Sequence, residues 1–278
     1  RRSGVWLESL LAQAAIDPRA VNLDGLPPAA PAGTWVPHEA GDGEAFVVFT
    51  SGSTGRPKGV VLSRRAVLAS AAASAGRLGW RDHDRWLLSL TPAHVGGLSI
   101  ITRCLIARRP VVLPCGSSAE ELLGAMAAQR VTLVSLVAAQ LRRMMALTDA
   151  PPPAVRVLLT GGGPLAPELL AEAAARGWPV CPTYGLSETC SQVATQPPGI
   201  PEPAAGAGPA LPGVELRVVD GEIQVRGGMV MDRYVPDGAH PDPFTADGWL
   251  ATGDLGHLDG RGNLHLAGRR DEVIVSGG

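Results

Sequence analysis

The sequence is almost without lysine: of its 24 lysine and arginine residues, only Lys58 is a lysine. A general preference for that side chain did not put it there. Basic runs are missing too, since no lysine or arginine run exceeds two residues and 26 acidic residues leave a formal charge of −2. The electrostatic footprint of a nucleic-acid binder is therefore absent. Cys104, Cys115, Cys181 and Cys190 form no C-x-x-C pair and have no histidine at zinc-ligand spacing, which argues against a metal knuckle or a disulfide framework. No apolar run reaches the ~18 residues that a membrane span needs. The opening RRSGVWLESLLAQAA carries Glu8 and Gln13 inside its apolar periodicity, as a surface helix does and a signal peptide does not. No internal repeat is visible. These absences predict a soluble cytoplasmic protein, with no membrane insertion and no nucleic-acid partner, whose ligand is small.

What is present is a chain of 278 residues, 45% of them hydrophobic, enough to bury the core of one large domain or two modest ones. After a Pro/Gly/Ala-rich loop at 24–43, short apolar runs alternate with longer amphipathic ones. AFVVFT, RWLLSL, PVVLP, VTLVSLV and AVRVLLT are separated by SRRAVLASAAASAGRLG, GGLSIITRCLIAR, SAEELLGAMAAQR and AAQLRRMMALT, and APELLAEAAARG follows. Such alternation predicts crossover units around a mainly parallel sheet, with ligands at the C-terminal ends of its strands. Beyond about residue 200 the character changes. VELRVVD, GEIQVR, WLATGDLGHLD, NLHLAG and DEVIVSG read as strands joined by turns, punctuated by Asp-Gly at 220, 247 and 259. The expected fold class is α/β, a mainly parallel sheet lobe with flanking helices plus a smaller β-rich subdomain, with a cleft between them.

The lone lysine sits in TSGSTGRPKGV, residues 50–60, directly after an apolar strand. Amides freed by Gly52, Gly55 and Gly59, with the hydroxyls of Thr50, Ser51, Ser53 and Thr54, form a set of donors able to wrap tetrahedral anions, and Lys58 supplies a compact positive charge. The same residues also suit a solvated turn; their ordered spacing and the uniqueness of Lys58 favour phosphate binding. It is not a Walker A loop, because Pro57 precedes the lysine and Gly59 follows it. No Ser/His/Asp set for nucleophilic catalysis is found.

The loop resembles the phosphate-binding signature of the adenylate-forming superfamily, which includes acyl-CoA synthetases, peptide-synthetase adenylation domains and luciferases. Three further stretches match in the same order. TYGLSET, 183–189, resembles the superfamily's aromatic-Gly-x-[ST]-Glu motif; the resemblance implies that Tyr184 flanks adenine, that Glu188 holds magnesium, and that Thr183, Gly185 and Ser187 lie on the nucleotide side. GWLATGDLG, 248–256, implies that Asp254 grips the ribose hydroxyls. GRRDEVIVSGG, 268–278, resembles the hinge signature, with Arg269 as a second ribose contact and Asp271 as the pivot. In LLTGGGPLAPELL, Gly161, Gly162 and Gly163 lie between a strand and a helix, with Pro164 near its first turn; the resemblance makes them an adenine-side wall, and a plain turn explains them equally well.

The resemblance covers about residues 45–278 and implies an N-terminal adenylation domain over 1–268, divided into an α/β lobe (1–206) and a β-rich subdomain (207–268), followed by a hinge remnant at 269–278. Its implied activity uses ATP and magnesium to convert a carboxylate into an acyl-adenylate, with Lys58, Glu188 and Thr54 as the catalytic set, and then transfers the acyl group to CoA. In this superfamily a C-terminal domain performs the second step and brings its own lysine. With Lys58 the only lysine, this chain is expected to bind nucleotide and to catalyse poorly.

Within the superfamily, SLTPAHVGGLSIITRCL (89–105) and YGLSETCSQVAT (184–195) are similar to the o-succinylbenzoate:CoA ligases of menaquinone biosynthesis. The implied acyl pocket comprises His94, Gly96, Gly97, Leu98, Ser99, Arg103, Thr189, Ser191 and Gln192. An aromatic dicarboxylate needs a flat apolar slot with a cation or polar donors at its far end. Arg103, i+4 from Ser99, is the candidate cation, with a solvated Arg103 and a core His94 as the open alternative. An amino acid would need an acidic partner for its ammonium, and the two stretches offer only Glu188. Other aromatic or aliphatic acids, loading of a carrier protein, and a non-catalytic nucleotide-binding module remain alternatives.

Overall fold

A computed structural model describes residues 43–50, 58–199, 201–236, 238 and 240–270. In chain order its elements are β1 (Glu44–Thr50), β2 (Lys58–Ser63), α1 (Arg64–Leu78), β3 (Trp86–Leu87), α2 (Val95–Ala107), β4 (Val111–Val112), α3 (Ala119–Ala128), β5 (Leu133–Leu136), α4 (Ala138–Leu147), β6 (Val157–Thr160) and α5 (Pro167–Ala175), then β7 (Val180–Leu186), β8 (Ser191–Thr195), β9 (Val214–Val219), β10 (Glu222–Gly227), β11 (Arg233–Val235), β12 (Leu250–Leu258) and β13 (Leu264–Arg269). The readings of 1–42, of residues 51–57 and of the strand DEVIVSG fall outside the described residues.

The expected parallel sheet is present as six strands in the order β4-β3-β5-β6-β7-β8. All its neighbours run parallel except β8, which folds back antiparallel on β7. Its strands are buried on both faces, which is why they read as unbroken apolar runs. Along β6, Leu158 packs with α3, α4 and α5 on one face, while Val157 and Leu159 pack with Trp86, Ile100 and Cys104 on the other. That is the period-2 alternation of a strand.

The helices start where local chemistry allows. Ser63 caps α1 by accepting from the Ala66 amide, and Ser118 and Glu121 form a reciprocal capping box on α3; each such cap is worth about 1 kcal/mol. Helix α5 begins at Pro167, whose fixed φ and missing N–H suit a first turn. Pro164 therefore precedes the helix and does not sit in it.

AFVVFT does not join the parallel sheet. It pairs antiparallel with β2, with Thr50 opposite Lys58, and β11 adds to the other side of β2. Only the seven residues 51–57 separate β1 from β2, far fewer than a parallel crossover requires. A four-stranded antiparallel sheet, β13-β12-β10-β9, completes the described chain. Because β11 reaches back to β2, hydrogen bonding crosses the boundary expected near residue 206. One hydrophobic cluster likewise joins Val60, Leu62 and Val67 to Tyr184, Val193, Ile223, Val225 and Leu250.

Candidate active site

The strands β5, β6 and β7 end at Leu136, Thr160 and Leu186, and the chain leaving them wraps a cavity of about 460 Å³. Its walls are the 90–97 turn, α2, the Gly161–Gly162 turn and the β7–β8 corner. The volume suits a drug-sized organic ligand, and the C-terminal edge of a parallel sheet is where such ligands bind.

Of the residues expected in the acyl pocket, His94, Gly96, Gly97, Ser99, Arg103, Ser191 and Gln192 line this cavity. Two do not. Leu98 packs against the hydrophobic core, because its place on α2 turns it away from the opening. Thr189 is fully buried, with its hydroxyl committed to the Leu186 amide and to the Leu186 and Ser191 carbonyls. Gln192 lines the wall, but its amide is engaged: Ser74 donates to Oε1 at 2.8 Å, and Nε2 donates to Thr195 Oγ1 at 2.8 Å.

His94 is exposed at the N-terminus of α2, so it is not a core histidine. Arg103 is the reverse of solvated, at 3% exposure. Its guanidinium donates to Ser70 Oγ at 3.4 Å and lies 5.8 Å from the Trp86 ring centroid, and no carboxylate pairs with it among the described residues. Its Nε has no hydrogen-bond partner among the described residues. Burial pulls it from its ordinary 12.5 down to about 10, still charged at neutral pH. The same burial pushes the neighbouring Cys104 thiol up to about 12 and raises Cys190.

The β7–β8 corner is strained. Cys190 and Ser191 both have positive φ, 51° and 96°, a conformation that costs non-glycine residues about 1–3 kcal/mol each. Ser70 donates to the Cys190 carbonyl at 2.7 Å, and Thr189 Oγ1 donates to the Ser191 carbonyl at 3.1 Å. Gly185 faces this corner, where a Cβ would overlap the Ser191 carbonyl.

Lys58 and Glu188, 130 residues apart in sequence, meet at 2.9 Å. Tyr234 closes the group: its hydroxyl accepts from Lys58 at 2.9 Å and donates to Glu188 Oε1 at 2.7 Å, while the Lys58 ammonium sits 4.2 Å from the ring centroid. Burial, reinforced by Glu188, pushes the Tyr234 phenol well above the usual tyrosine range. No sequence motif pointed to Tyr234, yet the chain has only two tyrosines and both belong to this region.

The other, Tyr184, is buried and donates to Asp254 Oδ2 at 2.6 Å; Arg269 donates to Asp254 Oδ1 at 3.0 Å. Burial, then the Asp254 carboxylate, raises the Tyr184 phenol. Arg269, expected at the ribose, and Tyr184, expected beside adenine, thus converge on the Asp254 carboxylate. Gly161, Gly162, Thr183, Gly185 and Ser187 line the cavity, whereas Gly163 is exposed and open. Local geometry calls for glycine at two of these positions: a Cβ on Gly161 would come within 2.8 Å of Thr183, and Gly162 has φ +76°. Thr50 Oγ1 is buried without a partner among the described residues. Ser51, Gly52, Ser53, Thr54, Gly55 and Asp271 lie outside the described residues.

Residues 9–235 match the model of the AMP-binding enzyme family. The chain belongs to that family. This AMP-binding family member is 40% identical over 249 residues to the 2-succinylbenzoate–CoA ligase of Bacillus licheniformis, the match covering 85% of this chain and 52% of that protein. Among solved structures, it resembles the o-succinylbenzoate CoA synthetase of Bacillus subtilis in complex with its acyl-adenylate intermediate, with a TM-score of 0.79 and 36% identity over 85% of this chain and 51% of that one. The same synthetase in complex with ATP and magnesium gives a TM-score of 0.78 at 36% identity, over 85% of this chain and 52% of that one. The chain spans about half the length of the curated relatives it matches. No helix among its described residues is long and apolar enough to cross a membrane.

Proposed function

We propose that this chain is the adenylate-forming part of an AMP-forming acid:CoA ligase of the o-succinylbenzoate type, acting in menaquinone biosynthesis, with residues up to 268 as the adenylation domain and 269–278 as its hinge. The observation that carries the substrate class is Arg103: a buried guanidinium, uncompensated by any described carboxylate, in the wall of a 460 Å³ cavity. Burying a lone cation is costly unless an anion joins it. A fatty acid would leave that cost in place, and an amino acid would bring an ammonium to a wall that has no aspartate or glutamate among its described residues. An aromatic dicarboxylate fits both ends. One carboxylate pairs with Arg103 while the other points toward the nucleotide.

The reaction needs little from the protein beyond position and charge. An ionised carboxylate oxygen attacks the α-phosphorus of ATP, an acyl–phosphate bond forms, and pyrophosphate leaves with the electron pair of the broken P–O bond. A CoA thiolate then attacks the acyl carbon and AMP departs. Lys58 offers positive charge to the phosphate chain, the Thr50 hydroxyl, without a partner among the described residues, stands beside it, and Asp254 accepts from the ribose hydroxyls. The carboxylate of Glu188, a hard oxygen donor, suits a magnesium ion, which would neutralise phosphate charge when bound. Ser99, Ser191 and the apolar wall orient the ring.

The test is calorimetric titration of the chain with stable acyl-sulfamoyl adenosines carrying o-succinylbenzoate, benzoate, a fatty acid or an amino acid. The o-succinylbenzoyl compound binds tightest on this reading. Equal affinities would remove the substrate assignment and leave the adenylation chemistry standing.

A further inference from the structure

The contact between Lys58 and Glu188 sets a phosphate-seeking cation against a metal-seeking carboxylate. Their side chains are only 25% and 10% exposed, and Tyr234 satisfies both through one hydroxyl. Two of the three ammonium protons of Lys58 face these acceptors, and both contacts to the carboxylate fall on Glu188 Oε1, so each group gives up a contact before those atoms can serve another partner. An incoming phosphate must draw Lys58 away from Glu188, and the carboxylate it leaves behind is partly buried, charged and short of a partner. That cost is removed if a divalent cation arrives with the phosphate.

We propose that Lys58, Glu188 and Tyr234 form an interlock in which the lysine ammonium occupies the cation position of Glu188 in the nucleotide-free protein, so that free ATP is disfavoured and the metal-bound nucleotide is selected. Tyr234 is a positioning residue in this device. Its ring lies under the ammonium at 4.2 Å and its hydroxyl bridges the pair, so it holds the closed arrangement without carrying charge. The strand pairing that brings it there, Tyr234 opposite Val60 and Val235 opposite Gly59, is that of the short β11 on β2. This also explains why an otherwise isolated three-residue strand reaches across to the lysine-bearing hairpin. The inference rests on the reading above that Lys58 receives phosphate and Glu188 a divalent cation.

The experiment uses the chain as it is, with ATP in chelator, ATP with magnesium, and adenosine as ligands, in the wild type, Glu188→Gln and Tyr234→Phe. In chelator, Glu188→Gln binds ATP roughly five- to twentyfold more tightly than the wild type, about 1–2 kcal/mol for the loss of one partly exposed ion pair, and its preference for the magnesium complex disappears. Removal of a negative charge would do part of this by itself, so Tyr234→Phe is the decisive variant. It changes no charge, and on this account it still tightens ATP in chelator by roughly two- to fivefold, since Lys58 loses one of its two acceptors. Adenosine affinity stays constant throughout.

Because Lys58 is the only lysine, selective 13C-lysine labelling gives a single side-chain resonance as a second readout. It shifts in both variants without ligand, and in the wild type when ATP and magnesium are added. A Tyr234→Phe protein with unchanged or weakened ATP binding in chelator, or a lysine resonance indifferent to both substitutions, overturns the interlock. If adenosine and ATP both fail to bind the wild type, the nucleotide reading itself falls and the interlock with it.

Discussion

Replacing Arg103 with methionine should make the free protein more stable and its acid site worse. Methionine fills most of the space of the arginine stem and brings no charge. Holding the guanidinium at about 10 rather than 12.5 corresponds to roughly 3 kcal/mol of unfavourable burial. The sign follows from proton linkage: the unfolded chain binds the proton more tightly than the folded one, so stability rises only as pH climbs from about 10 toward 12.5, and at neutral pH the whole cost is present. The long hydrogen bond to Ser70 and the distant ring of Trp86 return about 1 kcal/mol. The net gain on substitution is about 2 kcal/mol, which for a domain of this size raises Tm by roughly 4–8 °C. The acid site responds in the opposite direction. Losing a charge-assisted contact to a carboxylate weakens the o-succinylbenzoyl adenylate mimic by roughly 10- to 100-fold, while AMP affinity is unchanged. Differential scanning calorimetry and titration calorimetry read the two effects separately. A destabilised Arg103→Met protein with undiminished preference for the dicarboxylate would refute the reasoning and make Arg103 a structural residue.

Other outcomes follow from the same geometry. Asp254→Ala should weaken adenosine by roughly tenfold or more and abolish any preference for adenosine over 2′,3′-dideoxyadenosine, measured by competition titration; pyrophosphate binding should be untouched. Asp84 is buried against Arg156 and Thr132, and its replacement by asparagine should cost about 3 kcal/mol in urea unfolding by leaving the arginine uncompensated. Burial alone would raise the Asp84 carboxyl, but the hydrogen bonds from Arg156, the Arg81 amide and Thr132 outweigh it and hold it below its usual 3.8. Its contribution is therefore complete well above the ordinary value of 3.8 and is lost as pH falls through that value and below it, so acid unfolding of Asp84→Asn should be the less steep of the two. Gly97→Ala would drive a Cβ into the Thr91 carbonyl at the cavity wall, costing about 2 kcal/mol and lowering affinity for the acyl-adenylate mimic more than for AMP.

Much of this was legible because each reading rested on a local rule. The parallel strands announced themselves as short unbroken apolar runs such as VTLVSLV, since both faces are covered, and the rarity of lysine drew attention to Lys58, which the structure sets against Glu188. Gly96, Gly97, Ser99 and Arg103 could be placed together because one helix carries them. What the sequence hid are facts of pairing between distant segments. AFVVFT reads like any buried strand, and only the seven-residue connection to β2 betrays a hairpin. Leu98 and Thr189 stand beside true lining residues, but one faces the core and the other spends its hydroxyl on the corner at Cys190 and Ser191. Tyr234 was invisible because its meaning lies in a hydrogen bond to Glu188 across 46 positions; its one clue is that tyrosine occurs only twice in the chain.

A crystal structure of the chain with the sulfamoyl analogue of o-succinylbenzoyl adenylate tests the central claim most directly. The account predicts the free carboxylate of the acyl group within hydrogen-bond distance of Arg103, the ring against the α2 wall, and the ribose hydroxyls at Asp254. An analogue bound elsewhere, or bound with Arg103 still unpartnered beneath it, would contradict it.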